Sequence, residues 1–264
     1  MAWVQDAAKG GTVSASVPVR FWEIDFLRGL AVCLMILLHL LDDLYYFCGF
    51  KGIHPLAWMV WQRVTAGIFI ILAGISLSLN RSRGETLGIK SPHWFLRHSL
   101  LRGIKIFAWG MAVTLVTRAF LREGFVRFGV LHFLGLAMIA GIPFVKLRYE
   151  NLWLGLFSLG IGSYFARFQL KTAWLFWLGI RPRNFFSVDY FPFFPWFGLV
   201  LWGIFIGNTL YRDAERRFDL HDYHNPAIRW GCFLGRNSLV LYLIHQPLFI
   251  AVLYSLGLIK GFRG

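Results

Sequence analysis

Arg28 and His39 stand eleven residues apart in an otherwise apolar run, and Asp25, Asp42 and Asp43 flank them. An α-helix turns 100° per residue, so this spacing puts Arg28 and His39 within about 20° of each other on one face. Asp25 and Asp43, eighteen apart, fall on the same face five turns from one another. His39 then lies roughly 16 Å along the axis from Arg28. A guanidinium suits phosphate oxygens, because its planar fork offers several charged donors. A carboxylate one turn from an imidazole, as Asp43 is from His39, can fix the tautomer and raise its basicity, which is what a general base requires. The face therefore offers an anion grip below and a base above. The competing reading is a structural helix whose polar groups satisfy one another, with His39 bonding only between helices.

The elements that must position these groups are membrane-spanning helices. The chain has 264 residues, of which 57% are hydrophobic and 18% aromatic, and a mean hydropathy of +0.58. Soluble domains average roughly 45–50% apolar, and the excess here is gathered into blocks near the ~20 residues needed to cross a bilayer. The expected fold is all-α: a polytopic helix bundle of about 7–8 spans. The blocks are about Phe26–Phe47, Leu56–Leu79, Ile104–Phe120, Phe128–Val145, Leu152–Phe168, Phe193–Leu210 and Leu234–Leu256. Leu170–Ile180 is apolar but short, and reads as a re-entrant or interfacial helix. Residues 1–19 form a polar tail without the apolar core of a signal peptide, 20–257 a single transmembrane domain, and 258–264 a short basic tail.

The net charge is +14. Its basic residues gather in short connections, above all Asn80–Lys105, which holds Arg81, Arg83, Lys90, Arg97, Arg102 and Lys105 against Glu85. The positive-inside rule then places the N terminus in the cytoplasm, and anionic lipid accounts for much of the remaining charge. No basic domain exists to hold a duplex, so nucleic acid is not expected as a partner. Cys33, Cys48 and Cys232 show neither a CxxC pair nor zinc spacing, so no metal is expected and each reads as a buried small hydrophobe.

Under that topology several polar groups collect in the outer half. His54 is in the first outer loop, His132 opens the fourth block, and Asp189 precedes the sixth. In the last block Ser238, Tyr242, His245 and Gln246 form a stripe at helical spacing, with Pro247 freeing the Leu243 carbonyl beside His245. Polar groups converging at one depth suggest a polar cavity.

Five motifs carry a family resemblance. Arg20…Asp25-x-x-Arg28-Gly-x-Ala…His39 resembles the first helix of transmembrane acyltransferases, most closely the heparan-alpha-glucosaminide N-acetyltransferase catalytic-domain family. The stretches Phe69–Ser78, Phe128–Ala137, Asp189–Gly198 and Leu234–Pro247 look like its later motifs, in the same order. The resemblance spans Arg20 to Leu248. It implies transfer of acetyl from cytoplasmic acetyl-CoA to a sugar amine or hydroxyl of a glycan or glycolipid across the membrane. In one related family a histidine stands where His39 does; in the heparan enzyme's pattern the working histidine lies in the following loop, near His54.

These readings assign His39, Asp43 and His54 to catalysis, with a histidine as general base or transient acyl carrier. Arg20, Asp25, Arg28, Arg81, Arg102 and Arg236 would form the CoA site, the arginines matching its phosphate oxygens. Asp42, His132, Asp189, Tyr242, His245 and Gln246 would face the acceptor. Membrane lipid and the acceptor glycan are the expected partners, with a homo-oligomer as a further option. A proton-coupled carrier of a small anion could use the same buried groups, but no paired inverted halves are visible. A non-catalytic scaffold would need none of them.

Overall fold

Hydrocarbon offers no partner for backbone amides, so a chain this apolar must close its hydrogen bonds within helices. The computed structural model describes residues 20–49, 54–86, 92–121, 123–171, 174–212, 215–221 and 225–258. Among them are eight α-helices: α1 (Trp22–Cys48), α2 (Pro55–Thr86), α3 (Pro92–Phe120), α4 (Val130–Ala140), α5 (Tyr149–Phe165), α6 (Phe193–Leu210), α7 (Pro226–Arg236) and α8 (Ser238–Ser255). Five are long and apolar enough to cross a membrane: α1, α2, α3 from His93, α6 and α8. Apolar side chains such as Leu115, Trp153 and Phe157 stand exposed on α3 and α5, as lipid-facing residues do. The chain is a multi-pass membrane protein.

Three expected elements differ. Phe128–Val145 is not one helix, because α4 stops at Ala140 and the chain tightens into a 3-10 turn, Ile142–Lys146. Pro143 lacks the amide that would continue the α-helical ladder. The last block breaks at Asn237, whose φ of −100° and ψ of 14° are non-helical, so α7 ends at Arg236 and α8 begins afresh. Among the described residues of Leu170–Ile180 the only helical piece is the 3-10 turn Phe176–Leu178, ended by Gly179 at φ 123°, in place of the expected re-entrant or interfacial helix. A parallel pairing of Gln169–Leu170 with Arg181–Pro182 closes it. Conversely, α2 runs on to Thr86 and α3 starts at Pro92, so Arg81, Arg83, Arg97 and Arg102 are helical rather than in a loop.

Glycines decide where helices meet. A Cβ on Gly29 of α1 would collide with the Gly231 carbonyl of α7, and one on Gly235 with the Asp25 carbonyl. Gly231-x-x-x-Gly235 is thus a small-residue crossing that brings α7 against the first turns of α1. The central core lies among α2, α4 and α6, where Ile70, Leu77, Phe133, Leu201 and Ile204 are fully buried.

The two ends of the bundle are tied differently. At the end holding the start of α1, Arg216 grips Glu23 through two hydrogen bonds of 2.8 and 2.9 Å. There too Asn208 donates to the Val145 and Leu147 carbonyls at 2.9 and 2.7 Å. At the other end the connections pair through backbone, Val188 N–H to the Gly124 carbonyl at 2.8 Å and Phe191 N–H to that of Phe128 at 2.9 Å. Cys232 is buried as expected, but Cys33 and Cys48 are exposed on the bundle's outer faces.

Candidate functional site

The basic end is built on three helices. Arg28 donates to Asp25 at 3.1 Å and to the Ser76 hydroxyl of α2 at 2.7 Å, while Ser76 donates onward to the Leu72 carbonyl at 2.6 Å. Arg20 and Arg83 act electrostatically on Arg28 or on each other, and Arg102 of α3 feels both Arg28 and Arg83. Asp25 is the carboxylate that acts on Arg28 and Arg83, whereas Glu23 is committed to Arg216. The Arg83 Nε is buried without a hydrogen-bond partner. Four guanidiniums gathered around one carboxylate at a partly buried site are costly unless an anion sits among them. The donor set fits phosphate.

Two residues expected there stand apart from the cluster. Arg81 is held by Glu85, one turn on, at 2.8 Å. Arg236 closes α7 and is exposed. Arg83 and Ser76 were not among the expected site residues. They are seven apart, and so within about 20° on one face of α2, but that signal is visible only if α2 continues past Leu79.

The second cluster is higher on α1. The His39 ring lies against that of His245 of α8, centroids 5.0 Å apart. Asp43 does not orient His39. It accepts from the Gln246 amide at 2.9 and 3.1 Å, because the neighbouring helix presents that donor to the carboxylate. Asp42 faces α2 instead and accepts from Gln62 at 3.3 Å. Tyr242, one turn before His245, directs its hydroxyl to Asp189 Oδ2 at 3.4 Å, which also accepts the Val130 N–H at 3.1 Å. Desolvation pushes the Asp189 carboxyl up to about 6, against those two donors, which favour the ionised form. His39, Asp43, Asp189, Tyr242, His245 and Gln246 therefore form one continuous polar patch.

The histidines differ sharply in how their ring nitrogens are used. His132 is 1% exposed and fully engaged. Gly129 N–H donates to its Nδ1 at 3.2 Å, so the proton must be on Nε2, which meets the Thr114 hydroxyl at 3.2 Å. That hydroxyl in turn donates to the Val126 carbonyl at 2.7 Å. His132 thus ties α3 to the start of α4. His54 is exposed at the entry to α2, accepting the Leu56 N–H at 3.3 Å, on the rim of an apolar groove of about 710 Å³ lined by Leu34, Val60, Trp61 and Val64. It does not join the polar patch. In His245, Nδ1 meets the Tyr242 carbonyl at 2.7 Å while Nε2 is buried with no partner. Among the described residues, no three His, Cys, Asp or Glu side chains gather as a metal would require.

Comparison with known proteins yields one family. The profile described as heparan-alpha-glucosaminide N-acetyltransferase, catalytic, matches residues 20–247. No curated protein and no solved structure matches.

Proposed function

Because the chain belongs to the heparan-alpha-glucosaminide N-acetyltransferase catalytic family, we propose that it is a membrane acetyltransferase using acetyl-CoA as donor and a sugar amine or hydroxyl, free or on a glycan or glycolipid, as acceptor. The family match over residues 20–247 carries this reading. Two features of the geometry support it. The arginines around Arg28 suit the phosphates of CoA. The polar patch at His39 and His245 lies eleven residues, roughly 16 Å, farther along α1.

In the orientation that the positive-inside rule favours, Arg20, Arg28, Arg83 and Arg102 face the cytoplasm and hold the donor's phosphates. An imidazole of the upper patch takes the acceptor's proton as its nitrogen or oxygen attacks the thioester carbonyl. Gln246, Tyr242 and Asp189 supply the hydrogen bonds that orient the sugar. The neighbouring helices exclude water, which otherwise competes as acceptor.

The test is acetyl transfer by the purified full-length chain. With acetyl-CoA and either glucosamine or glucose we expect free thiol to appear together with acetylated sugar, and CoA to raise the melting temperature. Absence of any thermal shift at saturating acetyl-CoA, with no thiol released, would overturn the assignment.

A further inference from the structure

Building on the acetyl-transfer reading, we propose that the proton acceptor of this site is Nε2 of His245. A general base needs a bare lone pair in a fixed direction, with its other nitrogen held. His245 alone meets all of these conditions among His39, His54, His132 and His245.

The tautomer follows from hydrogen-bond chemistry. A backbone carbonyl only accepts, so the His245 nitrogen 2.7 Å from the Tyr242 carbonyl must carry the proton. The Leu241 carbonyl at 3.3 Å reinforces it. Nε2 is then the bare nitrogen. The residue is only 8% exposed and Nε2 meets no protein donor, which is costly for a buried acceptor unless something else supplies a proton to it. The amide oxygen of the adjacent Gln246 is also buried and unpartnered, while its NH2 is held by Asp43. Two acceptors with empty lone pairs, on consecutive residues that both meet α1, suit a ligand bearing several N–H or O–H donors, as an amino sugar or a sugar does.

The rivals fail for stated reasons. Both nitrogens of His132 are in use within the scaffold. The Nδ1 of His54 accepts a backbone amide at the exposed head of α2. His39 contributes its ring face to His245 but has neither Asp43 nor a backbone carbonyl to fix its tautomer. His39 is thus a positioning residue: it closes one side of the His245 ring.

The chemical step balances without a further reactant. Nε2 takes the proton from the acceptor's amine or hydroxyl as that atom bonds to the thioester carbonyl carbon. The C–S bond breaks, and the proton returns from Nε2 to the departing sulfur. The products are the acetylated sugar and free CoA thiol.

His245→Asn separates this role from packing. Its side-chain NH2 can still reach the Tyr242 carbonyl where Nδ1–H stood, but nothing replaces Nε2. We expect kcat to fall by a factor on the order of 10²–10⁴, with the melting temperature and the KM for acetyl-CoA changed little. The titratable groups facing His245 are His39 from α1, Tyr242 from α8 and, through Tyr242, Asp189, while Asp43 lies beside it on Gln246. The unmodified chain should gain rate with rising pH as the base deprotonates, and His245→Asn should lose that dependence. In His245→Ala, added imidazole should restore part of the rate. If His245→Asn does not fold, His245→Gln, closer in length, takes its place under the same criteria. A variant that folds and keeps kcat within about threefold of the unmodified chain would overturn the assignment. If the unmodified chain itself releases no thiol with glucosamine or glucose, the acetyl-transfer reading fails first, and this inference with it.

Discussion

His132 and His245 are both buried, both sit among aromatic rings, and both belong to the polar half of the bundle, yet they serve opposite ends. Around His132, where α3 meets α4, every ring nitrogen and the Thr114 hydroxyl have partners. Around His245, where α1 meets α8, one nitrogen is anchored and the other is left empty. Burying an unsatisfied acceptor opposes folding, whereas a closed network rigidifies. On the inference drawn above, the α3–α4 contact at His132 is scaffold, and the α1–α8 contact holds the open valences offered to a substrate. Residue type and depth are alike in the two regions. The difference lies in what each atom meets.

The largest effect that would test this contrast is on stability. Replacing His132 with Leu leaves the Gly129 N–H unpaired and removes the ring that bridges to Thr114. We expect a loss of about 2–3 kcal/mol, from one buried donor left bare plus one lost bond. In a chain of this size that corresponds to roughly 5–10 °C in melting temperature. Activity per folded molecule should be preserved. A drop in kcat with unchanged melting temperature would erase the contrast by moving His132 into the chemistry.

Asp189 stands on the border, accepting from Val130 at the start of α4 and from Tyr242 of α8. Its carboxyl is raised from 3.8 to about 6 by desolvation. The folded state thus holds the proton more tightly than the unfolded chain. The stability this gives is complete below pH ~4 and is lost as the pH rises through ~6. Asp189→Asn cannot ionise and still offers an oxygen to both donors. Its melting temperature should match that of the unmodified protein near pH 4 and exceed it above pH 6, by on the order of 1–2 kcal/mol. If the gap between the two proteins is the same at pH 4 and pH 7, the carboxyl is not held in its protonated form. An unchanged kcat would remove Asp189 from the groups that orient the acceptor and leave it to the scaffold.

Much of this arrangement was legible in the sequence, and the illegible part has a physical reason. Apolar run length located α1 to within a few residues at its start, and placed α6 at the same bounds as the structure. Spacing along α1 puts Arg28 and His39 on one face, but the neighbours they meet differ: Arg28 meets α2 and His39 meets α8. Periodicity fixes an azimuth on one helix but not the neighbour that occupies it. Spacing therefore pairs Asp43 with His39 on its own helix, whereas the partner it meets is Gln246 across the interface. The break at Asn237 was likewise hidden, since Leu234–Leu256 is apolar on either side of it and only packing of Gly231 and Gly235 on α1 shows that α7 is a separate element.

Arg83 extends the comparison to the basic end, where the same distinction holds between neighbours on one helix. Arg81 is satisfied by Glu85, and Arg83, two residues on, has a buried Nε with no partner while Arg20 and Arg28 repel it. If empty hydrogen-bonding capacity marks the working groups, Arg83 contacts the donor and Arg81 does not. Arg83→Gln keeps hydrogen-bond donors but removes the charge. It should raise the KM for acetyl-CoA about fivefold, roughly 1 kcal/mol, without lowering the melting temperature, because relief of like-charge repulsion offsets the lost side chain. Arg81→Gln should leave KM unchanged, since its charge is spent on an exposed pair with Glu85. The effect of Arg83→Gln should shrink in high salt, as an ionic contact with phosphate requires. Equal KM values for the two variants would mean that the unpaired Nε is a packing accident rather than a mark of the donor site.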